Sequence, residues 1–247
     1  EMKQKEDKNQ DEIKNHPEIS SEDKGNIVLK VQNFVEENRK LVIGVSLGVL
    51  VLAILFFFIK NRIDESNRED SINASAAISR IMQYYQDGNY QTALNGDSVK
   101  KVQGEKVIGL IEIVNKYEGT DQGKYAALYA ASALINLNRY EEAKRYFEIA
   151  LKSPAKIVQE GANAGLATIY EIEGNFKEAA DHYEQAALIA VELGLKNRYQ
   201  FFQALCLEKA GEKEKAEKLY REVIGDNRSD YVNSAKAGLI RLGTIIE

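Results

Sequence analysis

The chain has no tryptophan, two prolines, one cysteine, two histidines and two methionines among its 247 residues. With Cys206 alone, no intrachain disulfide can form. So few prolines leave little to interrupt helices, and the alanine-rich, charge-rich remainder favours them. His16 and His182 lie far apart, with neither an HExxH pattern nor paired Cys/His ligands nearby, so no metal site is expected. His182, beside Tyr183, reads as a solvated side chain, and Cys206, inside the apolar run 201–207, as a small core residue. Glycines form neither GxGxxG nor a phosphate loop, and no nucleophile can be matched with a base. The expectation is therefore no enzyme, no cofactor and no small-molecule substrate. A basic excess is missing too. The formal charge is −5 with both signs interspersed, which argues against a nucleic-acid partner.

What is present starts with one long apolar run. Residues 41–59 read LVIGVSLGVLVLAILFFFI, 19 residues without a charge or a proline. At about 1.5 Å per residue this run matches the hydrocarbon thickness of a bilayer, so it predicts a single transmembrane helix. Arg39 and Lys40 precede it; Lys60 and Arg62 follow it. Within 20 residues on each side, four cations (Lys24, Lys30, Arg39, Lys40) precede the run and three (Lys60, Arg62, Arg68) follow it. The small bias keeps the N-terminus cytoplasmic and exports the C-terminal part. Gly44 and Gly48 form a small-x-x-x-small face that lets another helix approach, although glycine is also common in membrane helices generally. Ahead of the run, residues 1–25 are rich in charge and amide and predict a disordered tail. Residues 26–40 carry Ile27, Val31, Phe34 and Val35 on one helical face. They predict a juxtamembrane amphipathic helix, lying on the membrane surface or simply extending the span. Residues 60–71 read as a helical linker, and 72–247 as a separate domain.

That domain is periodic. Three segments, 124–154, 160–187 and 197–223, align on small and aromatic anchors. Each has an alanine midway along a first helix (Ala131, Ala167, Ala204) and another early in a second helix (Ala143, Ala179, Ala216). An aromatic follows four residues later: Phe147, Tyr183, Tyr220. Small residues suit the places where paired helices touch most closely, and the aromatic fills the space toward the next repeat. Asn138, Gly174 and Gly211 stand at the intervening turns, where a left-handed backbone is required. The second-helix alanines recur at intervals of 36 and 37 residues, close to the tetratricopeptide period of about 34. A degenerate repeat is expected near 73–95 and a capping helix over 231–246. Between them lies a polar insertion (95–105), after which Val107, Leu110, Ile111 and Val114 recur at helical spacing. The fold class predicted is all-α: one N-terminal transmembrane helix followed by a tetratricopeptide-type solenoid of helical hairpins.

In such solenoids the first helices line a concave face. By position, the candidate protein-binding residues are Tyr125, Leu128, Ser132 and Ile135; Ala164, Thr168 and Glu171; and Arg198, Phe201, Leu205 and Glu208. The alternative for each is packing between helices. Paired Lys and Asn positions that clamp a C-terminal carboxylate are missing, so an extended or helical segment is the expected ligand.

Two stretches also carry a resemblance. One is VQNFVEENRKLVIGVSLGVLVLAILFFF with the charged helix after it; the other is ALNGD (93–97) leading into LIEIVNKYEGTDQGKYAALYAASALINLNRYEEA. Together they resemble the YfgM-like family of bacterial tetratricopeptide proteins, most closely its Bacteroidota and Chlorobi-type versions. The resemblance implies an inner-membrane protein with a periplasmic repeat domain beside the Sec translocon. There it would meet translocating clients or hand them to periplasmic chaperones. The alternative function is a structural subunit of another membrane complex. This chain departs from the enteric members in its longer tail and in the insertion after Asn95.

Overall fold

The computed structural model describes residues 29–30, 32–102, 104–226 and 229–244. The predicted tail 1–25, and Ile27 and Val31 of the amphipathic stretch, lie outside the described residues. The chain divides into two units, Glu1–Ile63 and Asp64–Glu247.

In the first unit, residues 32–37 are helical and α1 (Arg39–Gln86) begins after Asn38. The backbone ladder runs through that junction, with Asn38 N donating to Phe34 O and Val42 N to Asn38 O at 3.0 and 2.9 Å. Over residues 41–59 the large apolar side chains other than Val42 stand exposed, from Val51 at 47% to Phe57 at 73%. Nothing lies within 4 Å of where a Cβ on Gly44 or Gly48 would stand.

The second unit starts with the C-terminal part of α1, whose Ala74, Ala77, Ile78 and Ile81 are buried. The elements after it are α2 (Tyr90–Asn95), β1 (Gly96–Val102), β2 (Glu105–Ile108) and α3 (Leu110–Tyr117). Three helical hairpins come next: α4 (Asp121–Asn136) with α5 (Tyr140–Leu151), α6 (Lys156–Ile172) with α7 (Phe176–Ile189), and α8 (Leu193–Lys209) with α9 (Lys213–Gly225). A final helix, α10 (Val232–Arg241), packs on α9. It is shorter than the expected cap because Gly243, at φ +80°, ends it.

Each hairpin turns in the same way. Asn138, Gly174 and Gly211 adopt φ of 58°, 79° and 82°. The amide just after each turn residue donates back to the preceding helix: Arg139 to Leu134 O, Asn175 to Tyr170 O and Glu212 to Leu207 O, at 2.8–2.9 Å. This pairing satisfies carbonyls that the helix end would leave open. Gly88 repeats the device between α1 and α2, with Asn89 N on Tyr84 O at 2.8 Å.

The anchors are buried. Ala131, Ala167 and Ala204 are fully covered, as are Ala143, Ala179 and Ala216. The aromatics reach across to the next hairpin. Phe147 lies over Gly165, leaving no room there for a Cβ, and Tyr220 lies over Gly238 in the same way. At the middle joint Phe202 replaces the glycine, and Tyr183 stacks on it with centroids 5.6 Å apart.

One correction concerns the insertion. The polar insertion forms an antiparallel β-hairpin, a two-stranded departure within the otherwise helical solenoid. Gly96, at φ +86°, ends α2, and its pairing with Ile108 brings Gly109 against the backbone of Leu94 and Asn95. Asp97 then holds the irregular stretch early in β1, accepting from the amides of Val99 and Lys100 and from Tyr84 Oη at 2.5 Å. Val107, expected on a helix with Leu110, Ile111 and Val114, lies in β2 and reaches the core as an inward strand position. Helix α3 starts only at Leu110.

Candidate protein-binding groove

The first helices of the hairpins are α4, α6 and α8, and α4 packs directly on α6. The eleven predicted groove residues all lie on these helices, and none is fully buried. Their side chains divide into three uses.

Some are committed to packing. Leu128 sits 3.2 Å from where a Cβ on Gly161 would stand, so it fills the α4–α6 contact. Ile135 and Ala164 pack against the two core clusters. Phe201 stacks on Tyr231 at 5.1 Å and touches Phe202 and Tyr220. Leu205 is half-buried.

Others are committed to polar contacts inside the solenoid. Ser132 and Thr168, equivalent positions, donate to the carbonyls four residues back, Leu128 O and Ala164 O, each at 2.9 Å. Glu171 receives Lys209 Nζ at 2.7 Å and Tyr183 Oη at 3.4 Å. One hairpin later, Glu208 receives Tyr220 Oη at 2.6 Å and Arg241. So the two carboxylates fasten each hairpin to the next element. Arg241 and Tyr220 together hold the Glu208 carboxyl below the usual carboxylate range. Burial pushes the Tyr183 hydroxyl up to about 12.

Only Tyr125 and Arg198 stand exposed. Arg198 holds its guanidinium 5.9 Å from the Phe202 ring centre. Tyr125 pairs its hydroxyl with Tyr129 at 2.8 Å. The two rings meet edge-on at 4.9 Å, and Tyr129 meets Tyr85 in the same geometry.

Tyr125 marks the open part of this face. It lines a cavity of about 690 Å³ formed by the C-terminal part of α1 and the first turns of α4 and α6. The floor is apolar: Ile78, Met82, Val158 and the exposed Ile157. The rim is uncharged and polar, with Gln83, Gln86 and Gln122. Its one carboxylate, Asp121, is paired with Lys124 at 3.2 Å. Gln122 Oε1 is buried without a hydrogen-bond partner among the described residues. An unmatched buried acceptor costs about 1–3 kcal/mol, and this one lies beneath the cavity surface rather than open to it. Sequence reasoning had placed only Tyr125 here. The rest escaped it because α1 was read as linker and degenerate repeat, and because Gln122 and Ile157 sit at helix starts rather than mid-helix.

Two other residues find definite places. Cys206 is fully buried, and burial pushes its thiol up to about 12. His182 is not solvated, contrary to expectation. It is half-buried, stacked on Tyr170 at 5.4 Å, with Nδ1 3.0 Å from Asn163 Oδ1.

The hairpin geometry now has an independent counterpart in known proteins. A tetratricopeptide repeat model matches residues 128–194 and 173–231. These repeats are of the tetratricopeptide type. They make the domain a protein–protein interaction module with protein partners, in a repeat class that is generally non-catalytic. The matches run from within α4 to just past α9 and do not reach the β-hairpin insert. No curated protein matches the chain.

Proposed function

We propose that this protein is a membrane-anchored interaction module whose repeat domain is exported and assists protein export at the Sec translocon. The observation that carries the anchor is the bare apolar surface of α1. Residues 41–59 present large side chains that no described part of the chain covers. A contiguous apolar surface of that size is not kept in water, and 19 residues of helix match a bilayer's hydrocarbon depth. Lys60 and Arg62 at one end and Arg39 and Lys40 at the other suit the headgroup levels. The small cation bias supports a cytoplasmic N-terminus, and the resemblance supports a bacterial inner membrane with the repeats in the periplasm.

The cavity beside Tyr125 supports the second half of the reading. An apolar floor takes side chains, and the side-chain amides of Gln83 and Gln86 at the rim offer hydrogen bonds to a backbone. Such a groove binds extended, charge-poor polypeptide without demanding a sequence, which suits a segment emerging from a translocon. The link to the translocon itself rests on the resemblance to the YfgM-like proteins, which follows the layout of residues 26–240 and is carried by the two stretches quoted above.

Two measurements test this. Protease applied to spheroplasts should digest the repeat domain; full protection would reverse the orientation. Affinity purification in mild detergent should recover translocon subunits or periplasmic chaperones. Their consistent absence, with other membrane subunits recovered instead, would favour a structural role in a different complex.

A further inference from the structure

The β-hairpin insert builds a second cavity, which no repeat match covers. It measures about 640 Å³ and lies among α1, the hairpin and α3. Four cations line it: Arg80 from α1, Lys101 from β1, Lys106 from β2 and Lys116 from α3. Two carboxylates, Glu105 and Glu112, share the lining. Four positive and two negative groups leave a local charge of +2, in a chain whose formal charge is −5.

The cations of the repeats are mostly spent. Lys144, Lys209, Arg221 and Arg241 each hold a carboxylate within 3.2 Å. The cavity's cations are less committed: among the described residues Lys116 alone is engaged, over the Tyr117 ring at 5.2 Å. None of the four forms an ion pair among the described residues. Arg80 is the telling one, half-buried with neither an ion pair nor a hydrogen bond among the described residues. A guanidinium carries five donors in a rigid fork shaped for a carboxylate or phosphate, and leaving it partly desolvated and unmatched is unfavourable.

We infer that this cavity binds an acidic, extended segment of a partner polypeptide, with Arg80 taking one carboxylate and Lys101, Lys106 and Lys116 taking others. Three observations favour a polypeptide over a single phosphate group. The cations come from four separate elements around a wide cavity, so no one point gathers them all. Carboxylates spaced along a chain meet them individually. In addition, β1 and β2 form a two-stranded ribbon, so each strand has an edge without a strand partner among the described residues. Such edges offer backbone donors and acceptors to an extended segment. Glu105 and Glu112 hold the surplus to two charges, which suits a few interspersed carboxylates better than a dense polyanion.

The test uses the full chain in detergent micelles and fluorescently labelled synthetic peptides read by polarisation. One peptide alternates Glu with Ser, one Gln with Ser and one Lys with Ser. The Glu peptide should bind at least about tenfold tighter than the Gln peptide, a difference of about 1.4 kcal/mol. Its binding should weaken as ionic strength rises from about 0.01 M to about 0.15 M, where the screening length falls from about 30 to 8 Å. Arg80→Gln should lower affinity about tenfold, because a charge-assisted, two-pronged contact is lost. Arg80→Lys should fall between. Lys106→Gln should cost about threefold, and Lys218→Gln, at an exposed position on α9, nothing. Should Arg80→Gln lose its helical circular dichroism, the double variant K101Q/K106Q, changed only at exposed positions, carries the test. Equal affinity for the Glu and Gln peptides overturns the proposal. So does a folded cavity variant that binds like the parent. Inorganic phosphate or a short-chain phosphatidylserine that displaces the peptide more strongly than unlabelled peptide does would assign the cavity to an oxyanion or lipid headgroup, overturning the polypeptide partner. None of these outcomes bears on the groove beside Tyr125 or on the translocon, which are tested separately.

Discussion

Arg241 on α10 grips Glu208 on α8 with two parallel hydrogen bonds, Nε to Oε1 and Nη2 to Oε2, each 2.8 Å. Tyr220 Oη donates to the same carboxylate from α9. Three helices thus share one charge, and the last helix is fastened by a polar clasp as well as by Ala235 and Leu239 in the core. One hairpin earlier, Glu171, Tyr183 and Lys209 form the same arrangement. In the first hairpin the equivalent positions are Ile135 and Phe147, and the joint there is tied instead by Lys144 on Glu173 at 2.6 Å.

Arg241→Gln should therefore loosen the end of the solenoid and leave its beginning unchanged. Arg241 is about half exposed, so solvent screening reduces the value of the pair to about 1 kcal/mol. Amide exchange should speed up over 232–241 by roughly fivefold, with 121–151 unaffected. A uniform rise across all hairpins would mean that the clasp stabilises the domain globally instead.

Adding one methyl group separates the joints. Gly165→Ala drives a Cβ into the Phe147 ring, an overpacking that costs about 1–3 kcal/mol. At Gly161 the same change meets only the flexible end of Leu128 at 3.2 Å, and alanine's helix preference, worth up to about 1 kcal/mol, competes with the contact. Urea melts should show G165A clearly destabilised and G161A near neutral or slightly stabilised. Phe147→Leu should recover part of the G165A loss, and no recovery would show that the ring is not the obstacle.

His182 gives the repeats a pH dependence. Its pKa is lowered, chiefly by burial, with Asp181 opposing. A histidine with a depressed folded pKa binds its proton more readily when unfolded. Stability is then fully present above the unfolded value of about 6.5 and declines as pH falls from there through the folded value. His182→Gln should flatten that part of the stability–pH curve. An unchanged slope would place the dependence on carboxylates such as Glu208, whose lowered pKa acts at more acid pH.

Gln122→Leu separates folding from binding at the groove. The substitution removes a buried acceptor that has no partner among the described residues, so stability should hold or rise by about 1 kcal/mol. Affinity for an unfolded, charge-poor polypeptide should be unchanged, because the acceptor lies beneath the cavity surface. A loss of stability would show that Gln122 serves the fold, and a loss of affinity that it reaches the ligand.

Much of the repeat architecture was legible because its residues answer local demands. A left-handed turn needs glycine or asparagine, and Asn138, Gly174 and Gly211 announce it wherever they stand. Close helix contact needs alanine, and the alanines recur. The β-hairpin was hidden because GDSVKKV is polar and irregular after Asp97, because EKVI is too short to show a strand period, and because Val107 also fits the helical spacing of Leu110, Ile111 and Val114. The groove was half-legible. Counting positions assigned the eleven residues to the first helices, where they lie, but could not tell that Glu171 and Glu208 face Lys209 and Arg241 rather than solvent.

The amino-acid sequence by itself determined the helical hairpins, their turns and their period, and it marked one run with the length and apolarity of a bilayer span. These follow from near-neighbour chemistry: backbone freedom, side-chain volume and spacing along one helix. Only the tertiary structure decided which carboxylates are spent between hairpins, that Gln122 is buried unmatched beside an open cavity, and that Arg80, Lys101, Lys106 and Lys116 meet around another. Those facts depend on residues far apart in the chain arriving side by side, and no local pattern records a meeting of that kind.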